Sequence, residues 1–396
     1  ILQTLPEISA ALEAGDVSSE ELVTAYLMRI ESIDRSGPTL QSVLAVNPNA
    51  LEDAVESDAR RAIGKSWGPL DGVPVLLKDN IESLDPVATT AGALALKDNI
   101  TGRDSPLVAG LREQGAIILG KTNLSQWANF RSNDSMSGWS ALGGQVRNPH
   151  MPDRNPCGSS SGSGAAAAAS LAAGTVGTET NGSVICPSNV NGIVGFKPTV
   201  GLVAQDYIVP ISSSQDTAGP MTKSVKGAAM MMNAMATGAA RTDYVAALDA
   251  GSLSGARVGV LRFSQGSNAD ILGRFDAALA VLEAQGATLV EIDEFSPDAE
   301  NFWGDALSVL QYEFKHTLNE YLASTPDAVT TRSLADLIAF NEANAEIELA
   351  LFDQSLFVAS EEKGPITDEE YTAARDTVQA ASRANGIDKL LAEHDV

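Results

Sequence analysis

Residues Cys157 to Ser170 read CGSSSGSGAAAAAS, and this stretch limits the fold more than any other. A Gly/Ser linker between domains continues as polar, aperiodic chain. Here the sequel is a run of alanines, the strongest helix formers, inside an apolar segment. Glycines such as Gly158 and Gly162 let a backbone turn tightly and come close to other elements. An alanine helix has minimal girth and can pack closely against a sheet. The stretch is therefore expected to lie inside the fold, with its backbone and hydroxyls taking part in chemistry.

The surrounding pattern predicts an α/β chain. The first ~60 residues read as helices, with Ser18-Ser-Glu-Glu21 forming a capping-box pattern ahead of an apolar-periodic run to Ile30. Gly72-Val-Pro-Val-Leu-Leu77 predicts a buried strand, Leu107 to Gln114 a helix, and Ala116-Ile-Ile-Leu119 the next strand. Strand, helix, strand in succession points to parallel pairing. Thr199 to Pro220 reads as loops. Ala256 to Leu261 and Ala287 to Ile292 read as two strands around a helix from Ile271 to Gln285. The last ~90 residues read as helical, with cap signatures at Ser333-Leu-Ala-Asp336 and Thr367-Asp-Glu-Glu370 and a stop at Asn385-Gly386. A short final helix is expected from Ile387 to His394. No internal repeat is visible.

Composition excludes several function classes. The net charge is -25, from 51 acidic and 26 basic residues, a surface that repels nucleic acid and anionic membranes. No apolar run reaches the length of a membrane span, since the longest candidate, Gly164 to Val176, is short and mostly alanine. Two cysteines, Cys157 and Cys186, make neither a disulfide framework nor a metal cluster, and both are expected as free thiols. The first residue is Ile, so an upstream segment is expected, and a signal peptide would fit there. A soluble protein is therefore expected, and one outside the cytoplasm if an upstream signal was removed.

Two familiar motifs fail on mechanism. Gly115-Ala-Ile-Ile-Leu-Gly-Lys-Thr122 matches the spacing of a phosphate-binding loop, but its four central residues are themselves an apolar strand and cannot form an open cradle. The three histidines, His150, His316 and His394, stand in no nucleophile-elbow context. A serine hydrolase here would need another base.

Beyond the alanines come Gly177-Thr-Glu-Thr-Asn-Gly-Ser183 and Gly195-Phe-Lys-Pro-Thr199, and upstream lies Val73-Pro-Val-Leu-Leu-Lys-Asp79. Together with Gly158-Ser-Ser-Ser-Gly-Ser-Gly164 these motifs resemble the amidase signature family. The likeness covers most of the chain, strongest from about Gly68 to Pro220. It implies a single α/β domain over 1–396 with a large mixed sheet flanked by helices on both faces. Within it lie N-terminal helices (1–64), a signature core (65–225) and a late α/β and helical part (226–396). It also implies a Ser-Ser-Lys triad, with Ser183 as nucleophile, Ser159 as the bridging serine that carries a cis peptide bond, and Lys78 as base. Ser159 and Ser183 lie 24 positions apart, as the signature asks. The oxyanion hole implied is the backbone N–H set of Thr180, Asn181, Gly182 and Ser183. No metal or cofactor is implied.

The chemistry is coherent on elementary grounds. A serine hydroxyl needs a base to take its proton, and a lysine can serve once burial lowers its pKa from about 10.4. Several stretches resemble the bacterial peptide-amidase branch, among them Leu119 to Arg131, Pro210 to Met221 and Arg332 to Asn341. That branch hydrolyses the C-terminal amide of a peptide to free acid and ammonia. The resemblance adds a bacterial source to the expectation, and with it the cytoplasm, periplasm or exterior of a bacterium. The alternatives are a general aliphatic or aryl amidase and a glutaminase-type subunit of an amidotransferase complex. Trp127 to Arg147 resembles the family's pocket wall, which puts Phe130 and Trp139 forward as substrate contacts. Three departures stand out. Asn181 replaces an acidic residue, keeping the N–H but not the charge. Ile185 stands where an arginine is usual. Relatives continue past the position of Val396 for a further stretch of roughly a hundred residues, so a missing C-terminal fragment of the same protein is expected as a partner beside a small peptide or amide substrate.

Overall fold

The computed structural model describes residues 2–249, 253–296 and 299–396. These divide into two compact units. One runs up to Val245 and takes in Glu313–Lys363; the other is Ala246–Tyr312 with Gly364–Val396. The one-domain expectation, with boundaries at 65 and 226, did not include this division.

The first unit is built on a six-stranded mixed sheet in the order Val43–Val46, Ile117–Thr122, Pro74–Lys78, Gly174–Glu179, Thr217–Thr222, Val194–Gly195. Its centre is parallel: Pro74–Lys78 pairs with Ile117–Thr122 on one side and Gly174–Glu179 on the other. The edges are antiparallel. Central strands covered on both faces read as unbroken apolar runs, which is why Val75, Leu76, Leu77, Ile118, Leu119 and Val176 are all fully buried. The strand Thr217–Thr222 overlaps the end of the stretch read as loops; its Thr-Ala-Gly-Pro-Met-Thr sequence carries almost no strand propensity, and pairing along Gly174–Glu179 makes it one. The strand Ile117–Thr122 contains Ile117, Ile118 and Leu119 from the centre of the apparent phosphate loop, and Lys121 Nζ points inward to Ile81 O and Thr89 Oγ1.

The Gly/Ser run is the start of a helix. Ser161–Ala168 is helical and wholly buried from Ser161 to Ala167. It packs across four of the six strands. Its two serines bond to backbone carbonyls, Ser161 to Cys157 O at 2.6 Å and Ser163 to Val176 O at 3.0 Å. Gly162 sits where the helix meets the loop after Ile117–Thr122: a Cβ there would lie 2.3 Å from Asn123 O and 2.4 Å from Ser42 O. N-terminal helices Leu5–Ala14 and Ser19–Arg29 bury Leu5, Ile8, Leu12, Leu22 and Tyr26 in the same core as Met231 and Met235 of helix Val225–Met235. The capping box at Ser18 and Glu21 is formed.

The second unit contains a βαβ turn. Arg257–Leu261 pairs in parallel with Thr288–Ile292, joined through helix Ala269–Ala284. Val309, Tyr312, Tyr371 and Ala374 form a small apolar cluster. The cap read at Thr367 falls on Asp368, and its side chain makes no capping bond. Asn385-Gly386 bends the chain without ending it, and Asp388–His394 follows as a helix. No helix among the described residues is long and apolar enough to cross a membrane.

Gly162→Ala tests the close approach of the helix. Both atoms it meets are backbone and cannot rotate away, so unfolding free energy is expected to fall by at least about 2 kcal/mol. Urea denaturation showing an unchanged midpoint would contradict the packing.

Candidate active site

The two parallel strands Pro74–Lys78 and Gly174–Glu179 both end at the same edge of the sheet, the place where open α/β sheets build their sites. Lys78 closes the first strand with its side chain fully buried. Its Nζ donates to Ser159 Oγ at 2.7 Å, to Thr178 Oγ1 at 2.9 Å and to Thr178 O at 3.2 Å. Burial pushes its pKa down to about 7, against the pull of the Asp216 and Glu179 carboxylates. A second buried lysine, Lys121, is lowered to about 8 by burial, with Asp79 as its strongest counter-charge. Lys121 reaches no serine.

Ser159 follows a cis peptide bond from Gly158. Its carbonyl accepts from Ser125 N at 3.0 Å, and the next residue, Ser160, donates its N–H to Ser183 O at 3.1 Å. That bond lays the Ser159 loop beside the Ser183 loop. Both serines line one narrow cleft together with Asn80, Thr178, Thr180, Gln205 and Asp216. Lys78 and Ser159 are completely buried, whereas Ser183 keeps 8% exposure, so the cleft opens at Ser183. The three residues of the expected triad are thus brought together, in the order lysine, serine, serine from the interior outward.

The Ser183 loop is shaped by Glu179. Its carboxylate accepts from Gly182 N at 2.8 Å, Val184 N at 2.7 Å and Ile185 N at 2.9 Å. Gly182 makes the turn possible with φ +85°. This corrects the expected donor set: the Gly182 N–H is turned to Glu179 because a buried carboxylate needs several donors. The N–H groups of Thr180, Asn181 and Ser183 have no acceptor among the described residues. Thr180 Oγ1 donates to Asp216 Oδ1 at 2.5 Å. Asp216 also accepts from Ile211 N and Ser212 N, and burial raises its pKa to about 6.

Cys157 and Cys186 form a disulfide, with Cα atoms 5.9 Å apart. The free-thiol expectation fails because it rested on a count. The fold places the residue just before Gly158-Ser159 beside the turn that follows Ser183, and counting carries no information about such proximity.

Phe130 and Trp139 do not line the cleft. Phe130 packs edge-on against Phe314 at 4.9 Å, and Trp139 against Phe352 at 5.4 Å. Their segment contributes Ala128 instead. Trp127, Ala128 and Asn129 all have left-handed φ, of 51°, 52° and 71°. Each such residue costs on the order of 1–3 kcal/mol, and the surroundings must hold it. Here Trp127 N bonds Ala91 O, and Trp127 packs on Phe357. Next to them, the fully buried Arg131–Glu348 pair (3.5 Å) and Gln126, which also bonds Glu348, pin the ends of the segment. Sequence reasoning gave no role to Asn80, Gln205 or Asp216. Asn80 stands two residues after Lys78, a spacing that could have flagged it.

A buried lysine bonded to one serine, beside a second serine at the mouth of a cleft, suits an amide hydrolase, and the comparisons agree on that class. The Amidase family profile matches residues 21–391, and the chain belongs to the amidase signature family. It is similar to the native peptide amidase of Stenotrophomonas maltophilia, at 44% identity and a TM-score of 0.95, covering 100% of this chain and 82% of that one. A relative from Arthroderma benhamiae named as an amidase is 42% identical over 301 residues, 72% of this chain and 50% of its own length. A glutamyl-tRNA(Gln) amidotransferase subunit from Halorhodospira halophila is 41% identical over 301 residues, 73% of this chain and 60% of its own. The chain thus spans about half to three fifths of these two curated relatives.

Two outcomes are expected. With Lys78 near 7, the neutral amine is the minor form below that pH. The kcat/KM for amide hydrolysis should then rise about tenfold per pH unit up to about 7 and level off above it; a profile flat from pH 5 to 9 would contradict the assignment. Replacing both cysteines by alanine opens a loop with a sequence separation of 29. It should cost about 3–4 kcal/mol of unfolding free energy on the loop-entropy argument. Identical melting of oxidised and reduced protein would show that no disulfide forms.

Proposed function

We propose that this protein is a serine amidohydrolase that converts the C-terminal amide of a peptide to the free acid and ammonia. The observation that carries the reading is the 2.7 Å bond from Lys78 Nζ to Ser159 Oγ at the closed end of the cleft that Ser183 opens. Neutral Lys78 takes the Ser159 proton as Ser159 takes that of Ser183, and Ser183 Oγ attacks the carbonyl carbon. The oxyanion is held by the backbone N–H groups of Asn181 and Ser183, with Thr180 beside them, each donor worth about 3–4 kcal/mol by analogy with other hydrolases. The relay then runs backwards. Lys78 returns its proton through Ser159 to the nitrogen, the C–N bond breaks, and ammonia leaves with the acyl group on Ser183. Water, deprotonated by the same relay, attacks the ester, and the free acid departs.

The likeness to the S. maltophilia peptide amidase supports the peptide-amide reading over the aryl and aliphatic alternatives, and a narrow cleft suits a small leaving group. A peptide amidase 44% identical to this chain is known in complex with the competitive inhibitor chymostatin, which makes chymostatin a probe here. The disulfide supports an oxidising compartment, outside the cytoplasm, as the working environment. The net charge of -25 supports a partner set without nucleic acid or anionic membrane.

Ammonia release from a short amidated peptide is the test. Release at a measurable rate, blocked by chymostatin and lost by 10³-fold or more (about 4 kcal/mol) in Ser183→Ala, is the expected result. Release from glutamine alone would instead favour the glutaminase reading.

A further inference from the structure

The cleft contains two buried acceptors that the relay does not use. Asn80 is 3% exposed; its Nδ2 donates to Thr178 Oγ1 at 2.9 Å, and its Oδ1 is buried with no partner. Gln205 lines the same cleft. Its Nε2 donates to Val203 O at 2.8 Å, and a carbonyl can only accept, so the orientation of the amide is fixed. Its Oε1 is also buried with no partner. Buried polar atoms are almost always hydrogen-bonded, and an orphan calls for an explanation. What sets these two apart from the other unbonded amide oxygens of the chain is that both residues line the cleft of Ser159 and Ser183.

The backbone holds them together. Asn80 O accepts from Val209 N at 2.8 Å, Glu82 N donates to Tyr207 O at 3.0 Å, and Ile81 bridges Ile208. The segment after Lys78 and the segment after Gln205 thus form one rigid wall. Asn80 sits on the lysine side of the cleft, because Thr178 Oγ1 receives both Lys78 Nζ and Asn80 Nδ2. That is the side from which the leaving nitrogen is protonated. The cleft carboxylate, Asp216, already accepts from Thr180, Ile211 and Ser212, so it is not an orphan as the two amide oxygens are.

Resting on the amidohydrolase reading above, we infer that Asn80 Oδ1 and Gln205 Oε1 receive the two N–H groups of a primary carboxamide and make the enzyme selective for substrates that release ammonia. A primary amide offers two donors on its nitrogen and satisfies both acceptors. A secondary amide, including an internal peptide bond, offers one donor and puts carbon against the other acceptor. An ester offers none. A site built to bond an N–H rejects the analogue that lacks it, because the buried acceptor is left unpaired.

The experiment compares kcat/KM for a peptide amide and the methyl ester of the same peptide, in the wild type, Asn80→Leu and Gln205→Met. The amide is expected to lose on the order of tenfold more than the ester in each variant. Asn80→Leu also removes a contact to Thr178, so its pH–rate profile is recorded as well. Gln205→Met leaves every Lys78 contact in place and isolates the acceptor. Ester hydrolysis in each variant reports an intact fold. Equal losses on amide and ester in Gln205→Met overturn the inference. So does a ratio that changes only in Asn80→Leu together with a shifted pH profile, which would place the effect in the lysine. A wild type that cleaves neither substrate removes the amidohydrolase reading and the inference with it.

Discussion

A lysine buried without a carboxylate partner is the constraint on which the site depends. Lys78 gives up hydration at the end of a central strand and receives in return only a serine hydroxyl, a threonine hydroxyl and a carbonyl. Neutral acceptors cannot replace the solvation of an ammonium, so the side chain is driven towards the free amine. Asp216 and Glu179 pull the other way, but neither makes an ion pair with it, because each is engaged elsewhere. Glu179 holds the backbone on both sides of Ser183, and Asp216 holds Thr180 and the Ile211-Ser212 backbone. The buried acids thus shape loops and leave the base free to act as one.

The remaining architecture keeps two serine loops in register with that lysine. Gly162 lets a thin helix press against Asn123 and Ser42, which fixes where the Ser159 loop emerges. The Ser160–Ser183 backbone bond and the Cys157–Cys186 disulfide tie this loop to the next. The left-handed run at Trp127–Asn129 brings Ala128 to the cleft wall. Strain at such positions persists where neighbours over-determine it, and the buried Arg131–Glu348 pair is well placed to do so.

Much of this was legible in the sequence. The unbroken apolar runs at Val73–Leu77 and Ala116–Leu119 marked the central strands, and the Gly/Ser-to-alanine switch marked a buried helix. The apolar character of Ile117 to Leu119, inside the phosphate-loop spacing at Gly115, reads as a strand, and these residues form one. What stayed hidden depends on long-range geometry. The disulfide joins residues whose proximity only the fold creates. The strand Thr217–Thr222 owes its form to a neighbour and not to propensity. Phe130 and Trp139 look like pocket residues by type, yet they face other aromatics, while a small alanine in an unusual backbone conformation lines the cleft. Asn80 and Gln205 carry no motif, and their interest lies in which atom of each amide is left unbonded.

The most direct test of the account is the titration of the Lys78 amine itself. In protein labelled with ¹⁵N at the lysine side chains, the Lys78 Nζ signal can be assigned by its loss in Lys78→Met and followed from pH 5 to 11. The Lys78 midpoint is expected near 7. A Lys78 amine that stays protonated up to pH 10 would contradict it, since no neutral base would then exist to activate Ser183.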